Sequence, residues 1–260
     1  MTPFLSSRVR SGLMVLALAL VGGPGCALIL HVAQAGQDAK DAVHSVQRNA
    51  RMAWLKPRAD KGDPAALAEL GGIMLSTADQ GTPDEQRGLE LLSSGADKGD
   101  ARGQAVLAEW SLNHEPNNPS VVARSIPMLQ RAATQACRFK RYGITSKAPI
   151  SPYHTLVYFL ERTERMDEAR LWEARGVMHC KEPDAQLLAR QASVDGSRWS
   201  KPLPALALLL LTDSPADIKA GTAGHDPALL EAARREAARL RELVARSEHD
   251  YPAPTRQELP

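Results

Sequence analysis

Histidine and cysteine side chains are the first candidates for chemistry in this sequence. Imidazole and thiolate groups are suitable zinc ligands, and His154, His179 and Cys180 could supply them. None of the three belongs to a C-x-x-C or H-x-x-x-H pattern, and the adjacent His179 and Cys180 would point in different directions on a helix. The sequence therefore favours a solvated histidine and a structural cysteine, and we expect neither a metal nor another cofactor.

Motifs for catalysis and nucleotide binding are missing from the sequence. It contains no G-x-S-x-G, no P-loop and no G-x-G-x-x-G. The acidic pairs Asp84-Glu85 and Asp167-Glu168 lie in the first turns of predicted helices, where negative charge stabilises the helix dipole. We therefore predict that the protein is not an enzyme and has no catalytic residues.

Aromatic and basic side chains are the candidates for contact with a partner. Trp199 lies in a polar stretch and is predicted to be exposed, whereas Trp172 lies on the apolar side of its helix and is predicted to be buried. A basic cluster is the second candidate, either as a solvated loop or as a loop that contacts a partner. It consists of Arg138, Lys140, Arg141 and Tyr142.

The N-terminal residues 1–35 have the pattern of an export signal. Arg8 and Arg10 provide positive charge, and an apolar stretch follows over residues 12–21. The sequence thus predicts a periplasmic or cell-envelope protein.

Several outcomes of processing fit this N-terminal segment. Ala33-Gln34-Ala35 is a cleavage site of small residues, and cleavage there would leave Gly36 as the first residue. Cys26 follows a sequence that resembles a lipobox, so it is a candidate for lipidation. A third alternative is an uncut anchor over residues 13–35. Contact with a membrane is expected only through this segment, if it stays uncut or is lipidated.

Charge and cysteine content agree with an exported protein that does not bind nucleic acid. The chain has 32 basic and 30 acidic residues, so loss of Arg8 and Arg10 with the signal leaves equal numbers of each. Without a positive field, binding to nucleic acid is not expected. Because Cys26 belongs to the signal, Cys137 and Cys180 remain as a pair. We predict a disulfide between them, and two separate buried thiols are the alternative.

A five-residue segment is repeated in the chain. Ala59-Asp60-Lys61-Gly62-Asp63 recurs as Ala96-Asp97-Lys98-Gly99-Asp100, 37 residues later. Such a period is typical of stacked helix-turn-helix units, whose apolar faces are completed by their neighbours. With only 4% aromatic residues, the composition also favours helices over strands. The predicted helices cover residues 37–55, 64–75, 83–98, 101–112, 120–136, 153–161, 166–179, 184–194, 204–211 and 228–247.

Over residues 59–137 the pattern of small and apolar residues resembles Sel1-like repeats, a subclass of the tetratricopeptide-type repeats. The matching positions are Gly62, Ala66, Leu70, Gly71, Gly81, Leu92, Ala96 and Gly99. The resemblance implies an all-α fold, an α-solenoid that binds a protein. Proteins with these repeats serve as adaptors, and some exported ones are immunity proteins that hold a toxin inactive. The alternative is a factor associated with the envelope or peptidoglycan, without catalytic activity of its own.

The sequence predicts five segments. They are a signal peptide or anchor (1–35), an N-terminal helix (36–57), Sel1-like repeats (58–182), a C-terminal helical cap (183–250) and a flexible tail (251–260).

Overall fold

The computed structural model describes residues 24–142, 149–192 and 202–259. These residues form eleven α-helices, a π-helical turn (Gly176–Cys180) and two short strands, so the described part of the protein is mostly helical, as predicted. In chain order the helices are α1 (Pro24–Asp60), α2 (Pro64–Leu75), α3 (Pro83–Asp97), α4 (Ala101–His114), α5 (Pro119–Ala133), α6 (Pro152–Arg162), α7 (Met166–Arg175), α8 (Ala185–Ala192), α9 (Pro202–Leu209), α10 (Pro215–Thr222) and α11 (Pro227–Ser247). The strands are β1 (Ala136–Phe139) and β2 (Arg256–Leu259).

The chain divides into two units, Met1–Ala53 and Trp54–Pro260. In the first unit the structure describes only helical residues of α1, and Val43 and Val46 are exposed on it. Among the described residues, no helix combines the length and the apolar composition needed to cross a membrane. Arg8, Arg10 and the apolar stretch of the predicted signal lie outside the described residues, whereas Cys26 lies in α1.

Short polar side chains set where most helices of the second unit begin. The carboxylate of Asp63 accepts hydrogen bonds from the first turn of α2, and Thr82 caps α3 in the same way. A proline follows each cap directly, where its missing N–H has no helical partner to lose. The same combination begins α5 and α6, at Asn118 and Ser151. These local signals explain why the predicted starts of α2, α3, α5 and α6 agree with the structure to within one residue.

Consecutive helices pack as pairs, α2 with α3, α4 with α5 and α6 with α7. Helix α4 also packs against α3, and α6 against α5, so each pair contacts the next. The first pair is close because Gly95 of α3 has no side chain: a Cβ there would lie 2.6 Å from the backbone N of Ala68. Such packing buries Leu92, Ala96 and Ala68 almost completely.

The two copies of Ala-Asp-Lys-Gly-Asp occupy equivalent places in the fold. Each ends one helix and begins the next, with glycine in the left-handed region at φ +80° for Gly62 and +95° for Gly99. Asp63 then caps α2, and Asp100 caps α4. The repeat detected in the sequence is therefore a repeat of local structure.

A second apolar core joins the C-terminal helices. Helix α9 is nearly all buried, and it packs against α8 and α11. Helix α11 contributes the stripe Ala233, Ala237, Leu240 and Val244, and it also contacts α7. This long helix covers one side of the last helix pair.

Several sequence predictions differ from the structure, beginning with α1, which extends from Pro24 to Asp60 and not over the predicted residues 37–55. The chain leaves α5 at Ala133 and forms β1 where the helix was expected to continue to Ala136. Helix α10 lies between the predicted helices 204–211 and 228–247, where no helix was predicted. Within the predicted tail, residues 256–259 form β2, which pairs in parallel with β1. A local reading of the sequence could not show this pairing because the two strands are far apart in the chain.

Candidate partner-binding surface

The histidines considered as metal ligands are not brought together. Within the described residues, no group of three His, Cys, Asp or Glu side chains lies close enough to hold a metal ion. His154 is exposed on α6, whereas His179 lies in the π-helical turn with its Nε2 3.5 Å from Glu248 Oε1. Burial lowers the pKa of His179, and the positive charge of Arg175 lowers it further.

Cys137 and Cys180 lie at disulfide distance, which confirms the predicted pair. Their Cα atoms are 5.4 Å apart, and both side chains are buried. The bond joins β1 to the end of the π-helical turn. The predicted helices 120–136 and 166–179 would end directly before the two cysteines, whereas Cys137 belongs to β1 in the structure.

The predicted basic cluster forms contacts within the chain. Arg141 forms a bidentate salt bridge with Glu109 of α4. Arg138 pairs with Glu182, whose other carboxylate oxygen accepts from the Ser151 hydroxyl. These contacts attach the segment after β1 to the helices. The prediction that the cluster contacts a partner stays a prediction.

Tyr142, the aromatic member of this cluster, is buried between α2 and α4. Its ring fills the space that the missing side chain of Gly72 leaves open. The Arg102 guanidinium lies over the ring, 3.9 Å from its centre, and also donates to the backbone carbonyls of Lys140 and Arg141. Residues 140–142 thus cover this side of the first two helix pairs.

Burial controls the electrostatics of this contact. The hydroxyl of Tyr142 donates to Asp100 Oδ1 at 3.2 Å. Burial raises the pKa of Tyr142 well above its usual value, and the Asp100 carboxylate raises it further. Burial also raises the pKa of Asp100 itself, although hydrogen bonds from Gly103 and Tyr142 act in the other direction. Both shifts favour the neutral forms of the two groups, so the phenol of Tyr142 stays protonated at neutral pH and donates to Asp100.

The tryptophans have different environments. Trp172 is buried, as predicted, between the rings of Tyr153 and Tyr251. Trp110, a half-buried residue of α4, stacks on His114 with ring centres 3.9 Å apart. Trp199, the predicted surface contact, lies outside the described residues.

An open groove of about 410 Å³ lies where two helix-pair turns meet. One wall comes from the turn between α4 and α5 and the start of α5, and the other from the turn between α6 and α7. The lining residues are Pro116, Asn117, Pro119, Val122, Ala123, Arg162, Thr163 and Arg165. The groove is therefore built by two successive helix pairs together.

The arginines of the groove are held in place by neighbouring side chains. Arg162 donates to Asn117 Oδ1 and to the Tyr158 hydroxyl, each at 3.2 Å. Arg165 pairs with Glu168 through two hydrogen bonds. Tyr158 is 48% exposed beside the groove. Tyrosine and arginine are enriched among the residues that dominate binding energy at protein interfaces. The arrangement can bind a partner through an aromatic ring and a cation.

Tyr158, Arg162 and Arg165 were not among the partner-contact residues predicted from the sequence. One signal was present, because Tyr158 is a large aromatic residue on a helix whose apolar face is already completed by Tyr153, Leu156 and others. Residues 116–123 and 162–165 line one groove because two helix pairs stack on each other. The spacing of residues in the sequence does not show this contact.

No family model, curated protein or solved structure matches this chain.

Proposed function

We propose that this chain is an exported Sel1-like repeat protein that binds a partner protein and catalyses no reaction of its own. The observation that supports this proposal most directly is the structural equivalence of the two Ala-Asp-Lys-Gly-Asp segments, each of which ends one helix and caps the first helix of a pair. Stacked helix pairs of this kind form an α-solenoid, an architecture whose extended surfaces bind proteins. Helix α11 then acts as the C-terminal cap of the stack.

Export is the second part of the proposal, and it is supported by the N-terminal pattern and the disulfide. A pair such as Cys137–Cys180 persists in oxidising compartments such as the periplasm. In that compartment, binding of a toxin by an immunity protein or binding of an envelope protein by an adaptor requires only a surface. The groove and Tyr158 provide one.

Site-specific photocrosslinking in the cells that express the protein tests partner binding. A crosslinking amino acid at Tyr158 should give a discrete adduct with one protein, and mass spectrometry should identify it. The same amino acid at Arg234, an exposed position on α11, is the matched control and should give no such adduct. Identical adducts from both positions, or none from Tyr158, would count against the proposal.

Mass spectrometry of the mature chain tests export. Cleavage after Ala35 predicts a chain that begins at Gly36 in the periplasmic fraction, and lipidation predicts an acylated chain that begins at Cys26. An unprocessed chain found only in the cytoplasm would contradict export.

A further inference from the structure

The charged side chains that line the groove between the helix-pair turns are all positive. Its lining includes two guanidinium groups, of Arg162 and Arg165, and no carboxylate. Two acidic side chains near it form hydrogen bonds: Glu115 accepts from Asn118, and Glu168 accepts from Arg165. Since Arg165 is paired, Arg162 is the main cation that faces an incoming ligand.

The opposite wall of the groove is apolar. Pro116, Pro119, Val122 and Ala123 line it, and Tyr158 lies beside it on α6. A volume of about 410 Å³ is at the lower end of the range for ligand pockets, roughly 300–1,000 Å³. This space suits a few side chains of an extended segment better than the surface of a folded domain.

We propose that the groove binds an extended acidic segment of the partner protein, with a carboxylate on Arg162 and a neighbouring apolar side chain against Val122 and Ala123. This inference rests on the proposed function, and charge complementarity selects the occupant. The planar guanidinium of Arg162 matches a carboxylate, and its hydrogen bonds to Tyr158 and Asn117 hold it in a fixed position. The proximity of Tyr158 allows an aromatic contact with the same segment.

Selection from a library of short random peptides displayed on phage, with the purified full chain as target, tests the occupant. Selected peptides should be rich in Asp and Glu next to apolar residues. Arg162→Glu should weaken their binding by about tenfold or more, which corresponds to about 1.4 kcal/mol. Arg234→Glu makes the same charge change on α11, and it should leave binding unchanged. Circular dichroism checks that both variants are folded.

Three results would overturn the inference. They are selected peptides without acidic residues, equal loss of binding in Arg162→Glu and Arg234→Glu, or binding of phosphatidylglycerol vesicles that is lost in Arg162→Glu. Failure of this inference can be distinguished from failure of the proposed function. If the crosslinker at Tyr158 still captures one partner and Arg162→Glu does not reduce this capture, the protein binds a partner but not through an acidic segment at Arg162.

Discussion

Asp63 and Asp100 cap equivalent helices in successive pairs, but their carboxylates have opposite electrostatic environments. Asp63 accepts two hydrogen bonds from the Arg58 guanidinium, which lower its pKa. Burial raises the pKa of Asp100. Arg58 precedes the first copy of the repeated segment, and the corresponding residue before the second copy is Gly95, where close packing of α3 on α2 leaves no room for a side chain. The same five residues therefore have different electrostatic environments in the two copies.

Asp63→Asn should lower stability at neutral pH. Asparagine still caps α2, but it loses the charged interaction with Arg58. Because the pKa of Asp63 is lowered by folding, its contribution is present above the ordinary aspartate pKa of about 4 and is lost as pH falls through the lower folded value. Unfolding temperatures measured from pH 3 to pH 7, roughly spanning that range, should therefore show the largest difference from wild type at neutral pH.

Asp100→Asn should show the opposite pH dependence. Folding raises the pKa of Asp100, so the cost of its buried charge is absent below about pH 4 and complete above the raised value. Asparagine keeps an oxygen for the Gly103 N–H and the Tyr142 hydroxyl without the charge. The variant should gain stability relative to wild type as pH rises in the same thermal measurements. A parallel response of the two variants would contradict the different environments.

Gly95→Ala should destabilise the first helix pair. Its Cβ would lie 2.6 Å from both the backbone N of Ala68 and the backbone O of Pro64, so α2 and α3 must separate. Overpacking of this kind costs about 1–3 kcal/mol. Urea denaturation measures the loss, and Ser94→Ala on the same helix is the control, with an expected change under about 0.5 kcal/mol. If the two variants were equally stable, α2 and α3 could separate at no cost in free energy, which would contradict the prediction.

Replacement of Cys137 and Cys180 by alanine should lower the free energy of unfolding by about 4 kcal/mol, because the disulfide closes a loop with a sequence separation of 43. Urea denaturation under oxidising conditions measures this loss. Reductant should destabilise the wild type by a similar amount and leave the double alanine variant unchanged. A wild type that is insensitive to reductant after unfolding would contradict the role of the bond.

The helices could be predicted from the sequence because their signals are local. Pro64, Pro83 and Pro227 each follow a capping residue, and the glycines of the repeated segment mark helix ends. The disulfide pair was predictable because few cysteines remain after the signal. Burial of Trp172 followed from its position on the apolar side of α7.

Contacts between distant segments could not be predicted in this way. Strand β2 forms because β1 provides a partner, and its own residues, Arg256–Leu259, show no clear strand pattern. Tyr142 lies in a polar segment, and only the gap at Gly72 explains its burial. The groove unites two turns of different helix pairs. Each of these features depends on stacking, which the repeat period indicates but does not specify in atomic detail.

Arg175→Met should release the C-terminal segment from α7. Arg175 is fully buried, and it donates to the backbone carbonyls of Tyr251 and Pro252 and to the hydroxyl of Ser247. Methionine fills similar space but removes the donor to both carbonyls, at about 1 kcal/mol for each lost hydrogen bond. Amide hydrogen exchange should accelerate over residues 248–259, whereas Arg246→Met, at an exposed position of α11, should leave it unchanged. Unchanged exchange in the Arg175 variant would show that the pairing of β2 with β1 holds this segment without the arginine.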